Sequence, residues 1–269
     1  MDSFINFCNK QIHFITHGYG DAIVLLHGFL ESLEIWTAFS NQLSKEFQVI
    51  CIDLPGHGKS ASLNDSHSMD LMADAVKAVL KFLEVQSCTM IGHSMGGYVT
   101  LAFAEKYPEN LMGFGLFHSQ SAADSEEAKT NRDRTIQLIE NDRMGFIQLF
   151  IPDLFAPDNR RKFETKIQLL KKQASDTPKE GIIAALKGMK ERPNRTSVLK
   201  TTKLPILYIL GQEDARIPVD VALYQAREAK RCEVQILKNV GHMGYIEDES
   251  YTMNCIKYFA LNCFSNTKN

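Results

Sequence analysis

The residues best suited to chemistry in this chain are a serine and the glycines around it. The segment Gly92-His93-Ser94-Met95-Gly96-Gly97 follows a run of strand formers at 88–91 and leads into helix-like sequence, Tyr98 to Tyr107. A serine on a sharp strand-to-helix turn has a strained backbone, so small residues are needed two positions before and after it. The turn presents the hydroxyl at the edge of a sheet, and the pattern therefore predicts that Ser94 is a nucleophile.

A serine hydroxyl is a weak nucleophile until a base removes its proton, and the base needs an acid to fix its tautomer. Asp214 follows the apolar run Ile206–Leu210, and His242 lies in the loop after a predicted strand, Glu233–Leu237. Both positions are carboxyl ends of strands, where open α/β sheets build their sites. We expect His242 to be the base and Asp214 the acid that serve Ser94.

Backbone N–H groups are the second requirement, because an oxyanion forms when a serine attacks a carbonyl. The N–H of Met95 lies at the predicted start of a helix, where it can face negative charge. Phe29 follows the buried strand predicted at Ala22–Leu26. We expect the N–H groups of Phe29 and Met95 to form the oxyanion hole.

These groups must be positioned by a layered α/β domain. Strands alternate with helices along the first part of the chain, which predicts a mostly parallel sheet with right-handed crossovers. The predicted elements include a hairpin of Ile5–Cys8 and Ile12–Thr16 turning at Asn9-Lys10, a strand at Val49–Ile52, an amphipathic helix at Ser68–Leu83 and a strand at Phe114–Phe117. Residues 119–200 show helical periods and charged runs without an apolar strand, and are predicted to be an all-helical insertion.

Composition limits the possible classes of function. The chain has 269 residues and 44% of them are hydrophobic, as in a soluble globular protein. Its net charge of -2 provides no excess of positive charge that would attract nucleic acid. We expect no membrane span and a cytoplasmic location. The six cysteines are scattered singly, so we expect reduced thiols, and neither a metal ion nor a cofactor.

Five motifs, in this order, resemble those of the α/β-hydrolase superfamily. They are His27-Gly28, Asp53 to Ser60 (Asp-Leu-Pro-Gly-His-Gly-Lys-Ser), Gly92 to Gly97, Gly211 to Asp214, and Gly241-His242. The resemblance covers nearly the whole chain. It implies an α/β-hydrolase fold with about eight strands, a core domain of residues 1–118 and 201–269, and a helical cap of residues 119–200 over the site. Among its members the chain is similar to serine esterases and lactonases.

The resemblance implies cleavage of a small carboxylic ester, lactone or thioester through an acyl-enzyme on Ser94. A serine nucleophile argues against branches of the superfamily that use aspartate. Three enzymatic alternatives stay open: a C–C bond hydrolase, a cofactor-free perhydrolase, and a lyase similar to the menaquinone-pathway synthase. That last group usually has an arginine where this chain has Tyr98. A ligand-binding protein without catalysis is a further alternative.

Residues near these motifs are candidates for binding a small acyl substrate. The candidates for substrate contact are Tyr98, His118, Phe146, Phe150 and Met243. An arginine of the insertion, Arg132 or Arg134, is a candidate for selecting a carboxylated substrate. The apolar residues of the insertion could equally serve a homodimer.

Overall fold

The computed structural model describes residues 2–265, and its strands form one eight-stranded sheet. The strands are β1 (Asp2–Phe7), β2 (Lys10–His17), β3 (Ala22–Leu26), β4 (Gln48–Ile52), β5 (Cys88–His93), β6 (Leu111–Phe117), β7 (Ile206–Gly211) and β8 (Cys232–Leu237). Their order is β1-β2-β4-β3-β5-β6-β7-β8. The pairs β1–β2 and β2–β4 are antiparallel and the other five pairs are parallel, so the sheet is mostly parallel, as predicted.

The N-terminal hairpin turns one residue earlier than predicted. Phe7 pairs with Lys10, which leaves Cys8 and Asn9 as the two turn residues, with φ of 51° and 60°. Two-residue hairpins favour positive φ at both central positions because that geometry matches the twist of the strands. Asn9 suits such a position well. Cys8 is not a typical turn residue and extends the apolar pattern of the strand, so the turn was wrongly predicted at Asn9-Lys10.

Ten α-helices are present among residues 2–265. They are α1 (Thr37–Leu43), α2 (Met69–Phe82), α3 (Met95–Lys106), α4 (Glu126–Phe150), α5 (Glu164–Asp176), α6 (Lys179–Lys190), α7 (Thr196–Thr201), α8 (Val219–Ala226), α9 (Gly244–Glu247) and α10 (Glu249–Ser265). The predicted helix at Ser68–Leu83 is α2, with Ser68 as its N-cap: the Ser68 hydroxyl accepts the Leu71 N–H. Side chains of α3 and α10 pack against β5 and β6 at the centre of the sheet.

Four of these helices, α4 to α7, lie between β6 and β7 in the chain, in the predicted insertion. Helix α4 is interrupted at Asp142, whose φ of -148° and ψ of 76° are not helical. The Asp142 carboxylate accepts the Gly145 N–H at 2.8 Å, which caps the second half of the helix. Helix α4 packs on α5 and α6, whereas α7 packs on α3 and α8. The division into a core and a cap stays a prediction.

The core lies on both faces of the central strands. Every residue of β3, β5 and β7 is buried, as expected for parallel strands covered by helices on both faces. Their carboxyl ends meet at one edge of the sheet, and β5, β7 and β8 there lead into Ser94, Asp214 and the loop of His242. Across residues 2–265, none of the helices is both long enough and apolar enough to cross a membrane.

Candidate active site

Ser94 occupies a strained turn between β5 and α3. Its φ of 51° and ψ of -113° lie outside the favoured regions for a residue with a side chain. The turn is so tight that a Cβ on Gly92 would lie 2.2 Å from the Gly96 carbonyl oxygen, and a Cβ on Gly96 would lie 2.6 Å from that of Leu26. The Ser94 N–H donates to the Phe117 carbonyl at 2.8 Å. These contacts hold the hydroxyl above the end of the sheet.

The three predicted side chains form one chain of hydrogen bonds. The Ser94 Oγ lies 2.9 Å from Nε2 of His242, and Nδ1 of His242 lies 2.8 Å from Oδ2 of Asp214. Since an ionised carboxylate can only accept, Nδ1 of His242 carries the proton and Nε2 is free to accept one from Ser94. The arrangement can therefore move a proton from the hydroxyl to the imidazole.

Asp214 is a buried carboxylate whose two oxygens are both engaged. Oδ1 accepts the backbone N–H groups of Arg216 and Ile217 at 2.8 and 3.0 Å, while Oδ2 accepts from His242 and His118. Burial alone raises the pKa of a carboxyl group, but the two histidines hold the pKa of Asp214 well below its ordinary value. Asp214 is therefore ionised at neutral pH.

His118 lies beneath this pair and away from substrate space. Its Nδ1 is 3.1 Å from Oδ2 of Asp214, and its Nε2 accepts the Gly244 N–H at 3.1 Å. Burial, partly opposed by Asp214, lowers the pKa of His118 to about 4. His118 is thus a neutral donor that supports the carboxylate. It does not line the cavity beside Ser94, and its expected contact with substrate stays a prediction.

The loop after β3 passes directly beside Ser94. A Cβ added to Gly28 would lie 3.2 Å from the Cβ of Ser94, so Phe29 follows at the rim of the same space. His27 fastens this loop, because its Nε2 accepts the Leu54 N–H at 2.9 Å while its Nδ1 lies 2.7 Å from the Gly28 carbonyl. Met95 is the first residue of α3, where N–H groups have no acceptor within the helix. Phe29 and Met95 thus lie near the serine, and the role of their N–H groups as oxyanion donors stays a prediction.

A buried ion pair, which the sequence analysis did not identify, lies next to these groups. Nδ1 of His93 is 2.9 Å from Oε2 of Glu31, and both side chains are almost fully buried. Burial lowers the pKa of a histidine, but the Glu31 carboxylate outweighs it and raises the pKa of His93. The pKa of Glu31 is lowered in turn, although burial opposes this, because of His93. A single sequence contains no pattern that pairs Glu31 with His93.

A cavity of about 360 Å³ opens onto Ser94 and His242. The inserted helices form much of its wall through Arg132 and Thr135 of α4 and Leu186 and Met189 of α6. The other residues that line it are Phe29, Tyr98, Ala128, Asn131, Phe150, Leu154, Ala215, Arg216 and Ile217. The volume suits a small substrate.

Two of the five predicted binding residues, Tyr98 and Phe150, line this cavity. Phe146 does not reach the lining and instead stacks on Phe150 with ring centroids 5.0 Å apart. Met243 is fully buried in the core beneath the loop of His242. Phe146 and Met243 therefore do not line this cavity, and the expected substrate contacts of all five residues stay predictions.

A metal ion would find three possible ligands at this site. The ligand atoms of His118, Asp214 and His242 lie within 4.8 Å of one another. Each of these side chains is already engaged in the hydrogen bonds described above, and Nε2 of His118 accepts a backbone N–H. Their donor pattern suits the handling of a proton between Ser94 and His242 better than metal ligation.

The fold and this site define an α/β-hydrolase. The family model described as alpha/beta hydrolase fold matches residues 21–158, about half of the chain. The chain belongs to this family. A solved thermophilic esterase from Thermogutta terrifontis (malate bound) is 30% identical, with a TM-score of 0.92 over 98% of this chain and 99% of that one.

Two curated relatives extend this comparison. The 2-hydroxy-6-oxononadienedioate/2-hydroxy-6-oxononatrienedioate hydrolase of Escherichia coli (strain K12) is 29% identical over 86% of this chain and 84% of its own. The dihydrolipoyllysine-residue acetyltransferase component of the acetoin cleaving system of Pseudomonas putida is 29% identical over 85% of this chain, which spans only 60% of that protein. The family model, the esterase structure and the Escherichia coli hydrolase support hydrolase as the coarse class of this chain.

Proposed function

We propose that the protein is a serine hydrolase that cleaves a small carboxylic ester, lactone or thioester. The observation that carries the proposal is the continuous hydrogen-bond chain from Ser94 through His242 to Asp214, with distances of 2.9 and 2.8 Å. Its position at the bottom of a cavity of about 360 Å³ and the similarity to an esterase support the same conclusion.

The geometry supports a two-step reaction. Ser94 Oγ attacks the carbonyl carbon while Nε2 of His242 takes the hydroxyl proton, and Asp214 stabilises the imidazolium that forms. The N–H groups of Phe29 and Met95 stabilise the oxyanion. His242 then protonates the leaving group as the bond to it breaks, which leaves an acyl group on Ser94. Water attacks that acyl group with the same proton transfer, and the acid and free Ser94 are released.

The test is hydrolysis of p-nitrophenyl esters from acetate to octanoate by the wild type and by Ser94→Ala. We expect turnover to peak at a short acyl chain and to vanish in the variant. A fluorophosphonate label on Ser94 without ester turnover means that the nucleophile works and the bond class is different. Lactones, thioesters and substrates with a cleavable C–C bond are then the next choices. If the wild type shows neither ester turnover nor labelling, the proposal is refuted and a ligand-binding protein is favoured.

The charge of the cavity favours an anionic substrate. Arg132 and Arg216 line it, and the lining residues in the described part of the chain include no aspartate or glutamate. The Asp124 carboxylate pairs with both Arg132 and Arg192, so one negative charge faces two positive ones. Arg216 is weakly paired, since its Nη2 lies 3.8 Å from Asp153. We propose that the substrate carries a carboxylate near the bond that is cleaved. The name of the Escherichia coli relative also specifies a substrate with carboxylates, a dienedioate or trienedioate.

Two esters with the same acyl length test this selection: p-nitrophenyl butyrate and the mono-p-nitrophenyl ester of succinate. We expect Arg216→Met to lower kcat/KM about fivefold for the succinate ester, because a partly exposed ion pair contributes at most about 1 kcal/mol. The butyrate ester is expected to be unaffected. Arg134→Met is the matched control, because Arg134 lies on α4 but is exposed and bonded to Asn131. Equal losses on both esters refute the carboxylate preference.

A further inference from the structure

Glu31 and His93 join three separate segments of the site, two loops and the end of a strand, by one buried hydrogen-bond network. Oε2 of Glu31 accepts the Gly28 N–H at 2.5 Å and faces Nδ1 of His93. Nε2 of His93 lies 2.9 Å from the backbone carbonyl of His242. The network therefore links the loop that precedes Phe29, the strand that ends at the nucleophile, and the loop of the base.

The network is complete in only one charge state. Both ring nitrogens of His93 face acceptors, a carboxylate and a carbonyl, so both must carry hydrogen. The other oxygen of Glu31 accepts the Tyr245 hydroxyl at 3.0 Å. The cation on His93 and the anion on Glu31 thus satisfy every polar group of the cluster at once. A buried ion pair is weak evidence for a stabilising role, because its replacement by well-packed apolar residues is often neutral or stabilising.

We propose that Glu31 and His93 are positioning residues, which hold the oxyanion loop and the backbone of His242 at the geometry that Ser94 requires. This role rests on the proposed function. Glu31 acts on the oxyanion loop through the Gly28 N–H, one peptide before Phe29. His93 acts on the base through the carbonyl of His242, so it sets where the imidazole lies relative to the hydroxyl.

Glu31→Gln separates this role from a purely structural one. An amide placed with its oxygen toward Gly28 cannot balance the charge on His93. If the amide nitrogen is placed toward Gly28 instead, the amide N–H and the Gly28 N–H are two donors that face each other. We expect kcat to fall about 10- to 100-fold with KM nearly unchanged, less than the loss of a whole oxyanion donor, which costs about 10²–10³. We expect the double variant Glu31→Gln/His93→Gln to lose no more than the worse single variant, because the two residues act as a unit.

Met72→Ala is the matched control for lost stability. Met72 is fully buried in α2, so we expect this variant to melt at a lower temperature and to keep the wild-type kcat. If Glu31→Gln does not fold, Tyr245→Phe is the informative variant: it removes one hydrogen bond to Glu31, and we expect kcat to fall about fivefold. Wild-type kcat in the folded variants of the network overturns the positioning role.

Labelling of Ser94 by a fluorophosphonate distinguishes the two ways in which the inference can fail. If the wild type is labelled and Glu31→Gln is labelled at the same rate, the positioning role alone is refuted. If the wild type is neither labelled nor active on esters, the proposed function fails and the positioning role fails with it. Slower labelling of Glu31→Gln, with normal labelling of Met72→Ala, supports the inference.

Discussion

Asp214→Asn is the substitution whose effect follows most directly from the hydrogen bonds of the site. The aspartate accepts two backbone N–H groups at Oδ1 and two imidazole groups at Oδ2. An asparagine must place its oxygen toward the two backbone donors, because its amide nitrogen cannot accept from them. The amide nitrogen then points at His242 and donates to Nδ1.

This reversal changes the tautomer of the base. With Nδ1 of His242 accepting, the neutral imidazole carries its proton on Nε2, which is the atom that faces Ser94 at 2.9 Å. That nitrogen can no longer take the serine proton. The same type of replacement in a well-studied serine protease costs about 10⁴ in kcat, equivalent to about 5.5 kcal/mol in the barrier. We expect a loss of this size here, with KM changed far less.

Steady-state hydrolysis of p-nitrophenyl acetate at pH 7 measures the effect. Glu213→Gln is the matched control, because Glu213 is the adjacent acid and is exposed, and we expect it to keep the wild-type kcat. Circular dichroism must show that Asp214→Asn is folded. A folded Asp214→Asn enzyme within tenfold of the wild type refutes the assignment of Asp214 as the acid that fixes the tautomer.

Two further predictions concern the turn and the buried histidines. We expect Gly92→Ala to abolish ester hydrolysis and to lower the melting temperature, because its Cβ would lie 2.2 Å from the Gly96 carbonyl; a wild-type melting temperature and kcat contradict the tight turn. Burial lowers the pKa of His118 to about 4 and of His57 to about 3, so below pH 6.5 the unfolded chain takes up protons that the folded chain does not. The melting temperature is therefore expected to fall from pH 6.5 towards pH 4 in calorimetry, and less steeply in His57→Leu; a flat profile refutes this linkage.

The strands and helices could be predicted because the pattern of apolar residues along each one reflects which of its faces are buried. Strands β3 and β7 are short, nearly unbroken apolar runs, as expected for parallel strands buried on both faces. Helix α2 repeats apolar residues at helical spacing behind a serine cap. The hairpin turn was placed one residue late because the φ values of Cys8 and Asn9 depend on strand register, which their residue types do not reveal.

The contacts of the site were less accessible from the sequence. Ser94, Asp214 and His242 could be found because each follows a predicted strand, so the sheet brings them together. Glu31 and Tyr245 lie 214 positions apart and meet through one hydrogen bond. Neither stands at a strand end or in a motif whose chemistry demands an acid or a phenol. Their pairing follows from how the loops pack above the sheet, which no local pattern in one chain encodes.

Three neighbouring histidines show why residue type alone could not assign the roles at this site. His93 faces a carboxylate and a carbonyl, so it carries two protons. His118 faces the carboxylate of Asp214 and a backbone N–H, so one nitrogen donates, the other accepts, and neither is free. His242 faces the same carboxylate and the hydroxyl of Ser94. Among the three, only His242 has an accepting nitrogen whose partner can give up a proton to it, and this difference in partners is the reason to propose His242 as the base.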